Sequence, residues 1–374
     1  MNRSQKAILI AVIAIVLGLI LLAVSFFVLG GAARLAERGW EYFIQRGAEP
    51  AVTEDISPDA IDDAIDKEIS RELAPGDRLQ LAEFSELELN GLVCDVDICT
   101  ALGPEFSISL EGLDYDPAMK GQYLLIYRGK DNERYSLTEK DGKLTITGKG
   151  VDGKLSVSKL RDLILNNSRR LVLLVPEDWK GRVSVNAAAG DLDLTGVKVS
   201  AADITLSAGD LDLTDVEAAG DLVLRLSAGD LDLTDVACGE LDVNVDLGDV
   251  DLTDVACGDL YLNVNAGDPD FTNVACGTLD ISMNAGELDL NEVSCGDLKI
   301  KVDAGSVGFS ELRPESADIY CRLGSVDGTL KGSPADYTTE CGVSMGEYHV
   351  AGSGAGPRLI RISVDMGNID LDFD

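Results

Sequence analysis

Acidic side chains recur at a fixed interval through the second half of this 374-residue chain. Glycines follow one another every 19 or 20 residues, and the first and third residues after nearly every one are acidic. If these repeats stack in register, their carboxylates form columns, and carboxylate oxygens are ligands that Ca²⁺ prefers in proteins. The candidate ligands for bridging cations are Asp210, Asp212, Asp230, Asp232, Asp249, Asp251, Asp268 and Asp270.

Two interpretations of these acidic columns stay open. Stacked strands lie about 4.8 Å apart, and neighbouring like charges at that distance repel by about 3.5 kcal/mol at an effective dielectric constant of 20. Either salt and partial protonation screen a solvated acidic face, or Ca²⁺ binds between the carboxylates and the repeats form a calcium-binding scaffold. The spacing matches neither the nonapeptide of calcium-binding β-rolls nor an EF-hand loop.

A second column contains sulfur. Cys238, Cys257, Cys276 and Cys295 follow one another at 19-residue intervals, each in an Ala/Ser-Cys-Gly turn. Stacking would place neighbouring thiols close enough to remain a half-buried ladder or to form disulfides between repeats. The sequence contains no CxxC pair of the kind that holds tetrahedral zinc.

Composition and motifs argue against two classes of function. Acidic residues outnumber basic ones 66 to 31, which gives a net charge of −35 and disfavours nucleic acid as a partner. The one histidine, His349, follows a repeat glycine at the position that aspartate takes elsewhere, and it assembles with no Ser/His/Asp or Cys/His set. Because residues 189–311 also contain almost no insertions that could carry an active site, we expect a non-enzymatic protein.

The repeats themselves predict the fold. Within each one, two runs alternate apolar and polar residues with the period of a β-strand, and each run begins at a glycine. A fixed period of this length is typical of a solenoid, in which each repeat is one coil. We predict an all-β, parallel β-solenoid with two strands per coil of about 19 residues. The repeat glycines are Gly190, Gly209, Gly229, Gly248, Gly267, Gly286, Gly305 and Gly324, and the spacing then loosens to Gly346 and Gly367.

An apolar segment precedes the repeats. Residues 7–33 carry no charge, and this length exceeds both the ~20 residues that span a bilayer and the ~7–15 apolar residues of a cleaved signal peptide. We therefore predict a single transmembrane signal anchor and a juxtamembrane helix over residues 1–46. Basic residues flanking the span mildly favour the opposite orientation. The short N-terminal tail nevertheless leads us to expect the solenoid on the extracytoplasmic side.

Three further segments complete the predicted organisation. Residues 47–80 form an acidic linker with a short amphipathic helix, residues 81–180 an irregular β cap at the N-terminal end, and residues 181–374 the solenoid. The acidic C-terminus is expected to keep other chains from the last strand. Its charges are Asp370, Asp372 and Asp374, and the apolar stripe of the linker helix is Ile61, Ile65, Ile69 and Leu73.

Residues 81–374 resemble a known family. A strand at 171–176, the segment Glu177-Asp178-Trp179-Lys180-Gly181, and the first repeat at 189–192 occur in an order similar to that of the bacterial putative-adhesin family, membrane-anchored β-strand-repeat proteins of unknown function. The hairpin of 135–137 and 142–146 fits the same pattern. The resemblance implies adhesion or cell-envelope roles, and it supplies no catalytic residues.

These features together lead us to expect a membrane-anchored structural or interaction module of the cell envelope. Its partners would be the membrane, through residues 7–33, and a surface protein or a polysaccharide. One alternative is a regulatory or envelope-stress accessory partner of other membrane proteins. A calcium-binding scaffold and an intracellular self-assembling filament are further alternatives.

Overall fold

The computed structural model describes residues 68–100, 122–129, 135–148, 169–352 and 354–374. The predicted anchor, the juxtamembrane helix and most of the linker lie outside these residues. Among the described residues, no helix has the length and apolar character needed to cross a membrane.

Strands β1–β25 are numbered in chain order. The first eight are β1 (Ile69–Leu73), β2 (Arg78–Gln80), β3 (Glu86–Val93), β4 (Asp95–Thr100), β5 (Leu124–Arg128), β6 (Tyr135–Lys140), β7 (Lys143–Thr147) and β8 (Arg170–Val175). The regular coils contain β9 (Arg182–Ala189), β10 (Leu192–Thr195), β11 (Lys198–Val199), β12 (Ala201–Leu206), β13 (Leu211–Ala218), β14 (Leu222–Leu226), β15 (Leu231–Ala237), β16 (Glu240–Leu247), β17 (Val250–Ala256), β18 (Asp259–Ala266), β19 (Pro269–Asn291) and β20 (Ser294–Leu323). The C-terminal elements are β21 (Val326–Leu330), a 3-10 helix (Pro334–Asp336), β22 (Tyr337–Met345), β23 (Tyr348–Val350), β24 (Arg358–Met366) and β25 (Ile369–Phe373).

Each coil contributes one strand to each of two parallel ladders, and the long strands β19 and β20 contribute to both. The first ladder runs β7-β3-β9-β12-β14-β16-β18-β19-β20-β24-β22. The second ladder runs β8-β4-β10-β13-β15-β17-β19-β20-β21-β25-β23. The predicted parallel β-solenoid with two strands per coil is therefore confirmed.

The register stacks identical side chains. Leu233, for example, pairs with Leu213 on one side and with Leu252 on the other. Because alternate residues of a strand point to opposite faces, the apolar half of each strand lies between the ladders. In one coil the buried set is Leu231, Leu233, Val236, Leu241, Val243 and Val245, none more than 2% exposed.

A column of glycines forms the turn that opens each second-ladder strand. Gly248 has φ +144°, and a Cβ atom there would lie 1.9 Å from the carbonyl oxygen of Gly229 in the preceding coil. Neither the conformation nor the close approach suits a residue with a side chain. The glycine column therefore allows neighbouring coils to pack at strand spacing.

The C-terminal coils stack out of sequence order. β24 pairs with both β20 and β22, and β25 pairs with both β21 and β23. The last coil in space is therefore residues 337–350, not the residues at the chain end. The expectation that Asp370, Asp372 and Asp374 protect the terminal strand is wrong, because β25 is already paired on both sides.

The N-terminal end is built in the same way. β3 lies between β7 and β9, and β4 lies between β8 and β10, although β7 and β8 follow them in sequence. Antiparallel strands β6 and β1 extend the first ladder, and β5 and β2 extend the second.

Trp179 packs edge-on against Phe84 and donates its indole N–H to the Phe84 carbonyl at 2.8 Å.

The predicted linker helix is wrong over Ile69–Leu73. These residues form β1, which pairs antiparallel with β6, and Leu73 is fully buried. A spacing of four residues places side chains on one face of a helix, but it also places them on one face of a strand. The rest of the predicted stripe, Ile61 and Ile65, lies outside the described residues.

We expect Gly248→Ala to lower the free energy of unfolding by about 2–4 kcal/mol, because the new Cβ collides with the Gly229 carbonyl in a strained conformation. Gly342→Ala is the matched control, since a Cβ there meets no atom within 4 Å. Chemical denaturation of both variants measures the difference. Equal stabilities would contradict the role given to the glycine column.

Candidate functional site

The third-position aspartates form a column on the outer face of the second ladder, interrupted by Gly308 between Asp289 and Asp327. Asp212, Asp232, Asp251 and Asp270 are direct partners in neighbouring coils. Towards the N-terminus the column continues through Asp193 to Asp97, and near the other end Asp327 pairs with Asp370. The structure thus brings the third-position candidate ligands together as predicted. Whether they bind Ca²⁺ stays a prediction.

The first-position aspartates have a structural role that the sequence did not reveal. Each carboxylate accepts a hydrogen bond from the backbone N–H of the first-position residue in the next coil. Asp210 accepts from residue 230 at 2.9 Å, Asp230 from residue 249 at 2.8 Å, Asp249 from residue 268 at 2.8 Å and Asp268 from residue 287 at 2.7 Å. One oxygen of each first-position carboxylate is therefore already engaged within the protein.

At the N-terminal end of the third-position column, the carboxylates contact the positively charged side chain of Arg170. The Arg170 guanidinium forms a bidentate ion pair with the buried Asp97 carboxylate and lies 3.5 Å from Asp193. This hydrogen bonding raises the pKa of Arg170. Arg170 was not singled out from the sequence, because only the out-of-order strand β8 brings it beside Asp97.

Further along the third-position column, partial burial and repulsion raise the pKa values of carboxyl groups. Burial raises the pKa of Asp251, and the charges of Asp232 and Asp270 raise it further. The pKa of Asp212 is also raised, first by burial and then by its acidic neighbours, although a hydrogen bond with Asp193 acts in the opposite sense. Asp212 and Asp251 therefore bind protons more readily than isolated carboxyl groups do.

A third acidic column, at the sixth position after each glycine, has a conformational explanation. Asp215, Asp235 and Asp254 have φ of 55–56°, in the left-handed region. Asn273, Glu292 and Glu311 continue this column with φ of 51–55°, and Gly196 occupies its first coil with φ 63°. Asp, Asn and Gly are the residues that most readily adopt this conformation. The mixture of Asn and Gly in one column was the sequence signal for it.

The predicted cysteine column is present as free thiols. Cys238, Cys257 and Cys276 are half-buried against the core, and Cys295 is buried and pairs with Cys276 across the strands. Burial raises the pKa of Cys295 to about 12. Cys257 accepts hydrogen bonds from both neighbouring thiols, which lowers its pKa and raises theirs. The column is thus a reduced ladder in this structure.

The outer surface also carries an apolar ridge at the C-terminal end. Four of the six large hydrophobic side chains exposed among the described residues lie here. Met366 pairs with Leu323 on one side and with Met345 on the other, so these three side chains stack as a column. Tyr348 is 60% exposed because it ends the inward-facing column of Val326 and Ile369 in the terminal coil. We call the outer column of Leu323, Met366 and Met345 the apolar ridge.

A family comparison identifies the fold. The model of the family described as Toastrack DUF4097 matches residues 115–372. The chain belongs to this family. This confirms the resemblance to β-strand-repeat proteins of unknown function. None of the curated proteins matches the sequence.

Solved structures of similar chains include a putative adhesin from Bacteroides fragilis, 12% identical over 82% of this chain and 97% of that one, with a TM-score of 0.37. A putative adhesin from Parabacteroides merdae is 13% identical over 82% and 96%, with a TM-score of 0.30. A putative lipid binding protein from Parabacteroides distasonis is 14% identical over 81% and 96%, with a TM-score of 0.29. These scores lie below 0.5 and carry no argument for this chain.

We expect acidification from about pH 8 to about pH 5 at low salt to raise the melting temperature. Carboxyl groups with raised pKa values, such as Asp212 and Asp251, bind protons more tightly in the folded than in the unfolded chain, so stability increases as pH falls towards the ordinary value of 3.8. Asp251→Asn removes one such charge. It should raise the melting temperature at pH 8 and flatten the pH dependence, and calorimetric scans at several pH values measure both. A melting temperature that falls over this range would contradict the repulsion argument.

Proposed function

We propose that this protein is a non-enzymatic interaction module of the bacterial cell envelope. Residues 7–33 hold it in a membrane, and the β-solenoid lies outside the cytoplasm. The uncharged length of that segment supports the anchor. The solenoid supports the interaction role, because two flat ladders of stacked coils form a rigid support that presents its outer residues at fixed positions.

The apolar ridge is the observation that carries this proposal. The column to which Leu323, Met366 and Met345 belong holds Ala266, Ala285 and Ala304 in earlier coils. Large apolar side chains replace alanine only where the solenoid ends, apart from the isolated Leu247 in its middle. Clustered exposed apolar side chains mark interaction sites. The ridge therefore contacts a protein with an apolar face rather than a polysaccharide.

The surroundings of the ridge fit the same conclusion. β22 and β23 of the terminal coil pair with β24 and β25 on one side, and their other edges carry no strand among the described residues. Such an edge offers backbone N–H and C=O groups to a partner.

The location is tested by protease treatment of intact cells that express the full chain with an epitope tag after Asp374. We expect the tag to be removed from intact cells without lysis, because the solenoid lies outside the cytoplasm. A cytoplasmic protein expressed in the same cells serves as the control for lysis. Digestion that begins only after the cytoplasmic membrane is opened, together with digestion of the cytoplasmic control, would contradict the proposed location and favour the intracellular filament.

The ridge is tested by placing a photo-crosslinking amino acid at Met345 and, as the matched control, at Leu247, which is 56% exposed in mid-solenoid. We expect illumination of cells to give a discrete crosslinked protein from position 345 and not from position 247. Equal labelling, no labelling or attachment of polysaccharide at position 345 would contradict a protein-binding ridge. Identification of an integral membrane protein as the partner would favour the regulatory alternative over adhesion.

A further inference from the structure

The terminal coil brings the one histidine of the sequence beside two aspartates. His349 in β23 pairs directly with Asp370 in β25. Asp372 lies two residues further along β25, so its side chain leaves the same face of the strand. Each of the three residues offers a ligand atom within 4.8 Å of the other two, and all three side chains are exposed. The three groups are therefore accessible to an ion from solvent.

The chemistry of this set differs from that of the acidic columns. An imidazole nitrogen suits zinc, copper, nickel and iron, whereas calcium and magnesium prefer oxygen ligands alone. Zinc sites that keep one open position use three protein ligands and a water molecule. Ligands bound tetrahedrally at 2.0–2.2 Å lie about 3.3–3.5 Å apart. Rotation of exposed side chains is sufficient to close the present separation.

The charge of the surroundings favours a cation at this position. Asp370 also pairs with Asp327 on its other side, so two carboxylates repel each other there. The nearby arginines are engaged in the other ladder, where Arg358 pairs with Glu315 at 3.0 Å and Arg361 pairs with Glu340 at 2.9 Å. A divalent ion would reduce the repulsion in the column.

We propose that His349, Asp370 and Asp372 bind one divalent cation of the zinc class. The bound ion joins the three-residue strand β23 to β25 and so fastens the terminal coil. The site shares no residue with the predicted calcium ligands, and it differs from them in its nitrogen ligand, which comes from the one histidine of the sequence. The repeat register places residue 349 beside residue 370, since each is the third residue after its repeat glycine, and the stacking order leaves residue 349 in the outermost coil.

The test is calorimetric titration of ZnCl₂ into the purified full chain, prepared without a polyhistidine tag and with its thiols reduced. We expect one saturable site that survives excess CaCl₂. His349→Ala should weaken binding by at least about 100-fold, since losing even an outer partner of a ligand costs 10–100-fold. Asp372→Asn should also weaken it, and this second variant keeps the test valid if the first fails to fold. Asp249→Asn, in the acidic column but away from the terminal coil, should bind zinc like the parent chain.

Zinc binding by the cysteine column is separated by two measurements. Cys257→Ser should leave the titration unchanged, and Co²⁺ in place of zinc should give no sulfur-to-metal charge-transfer band in the near ultraviolet. The proposal is overturned if His349→Ala binds zinc with parental affinity, if Cys257→Ser abolishes binding, or if no saturable site is found. Complete displacement of zinc by CaCl₂ would overturn it as well, because that outcome indicates oxygen ligands alone.

Discussion

Every feature of this protein depends on in-register hydrogen bonding between strands one coil apart. Because each residue pairs with its equivalent in the next coil, a residue type chosen once is repeated along the axis. Leucine then lies on leucine in the core, as Leu213, Leu233 and Leu252 do. The same constraint stacks aspartate on aspartate outside. The register that buries leucine on leucine therefore also imposes repulsion between stacked aspartates. A change of strand pairing that relieved the repulsion would also disrupt the leucine core.

Many of the acidic residues that repel one another also form hydrogen bonds, ion pairs or backbone conformations that the coils require. In the first-position column each one accepts a backbone N–H from the coil that follows, as Asp230 does at 2.8 Å. Sixth-position residues such as Asp235 occupy a left-handed conformation. At the N-terminal end of the third-position column, Arg170 neutralises part of the charge. Much of the acidic composition is thus explained by backbone geometry, before any ligand is considered.

The regular coils could be predicted from the sequence, and the ends could not. Within the coils, one period fixes the register, the glycine column and the inward leucines and valines, because every coil solves the same packing problem. At the ends, strand order is decided by contacts between segments far apart in sequence, such as β24 between β20 and β22. The spacing of Ile69 and Leu73 fits a helix and a strand equally well, so only the pairing with β6 decides it. The pairing of His349 with Asp370, by contrast, follows from the repeat register, because each is the third residue after its glycine.

The inserted position of β24 and β25 has a consequence for how the molecule is completed. Residues 337–350 leave the ribosome before residues 358–373, yet they can join the stack only through them. Residues 337–350 can therefore pair only after residues 358–373 are in place. Pairing between strands that are far apart in sequence slows folding. β24 and β25 are inserted between earlier strands, and residues 337–350 form the outermost coil at this end.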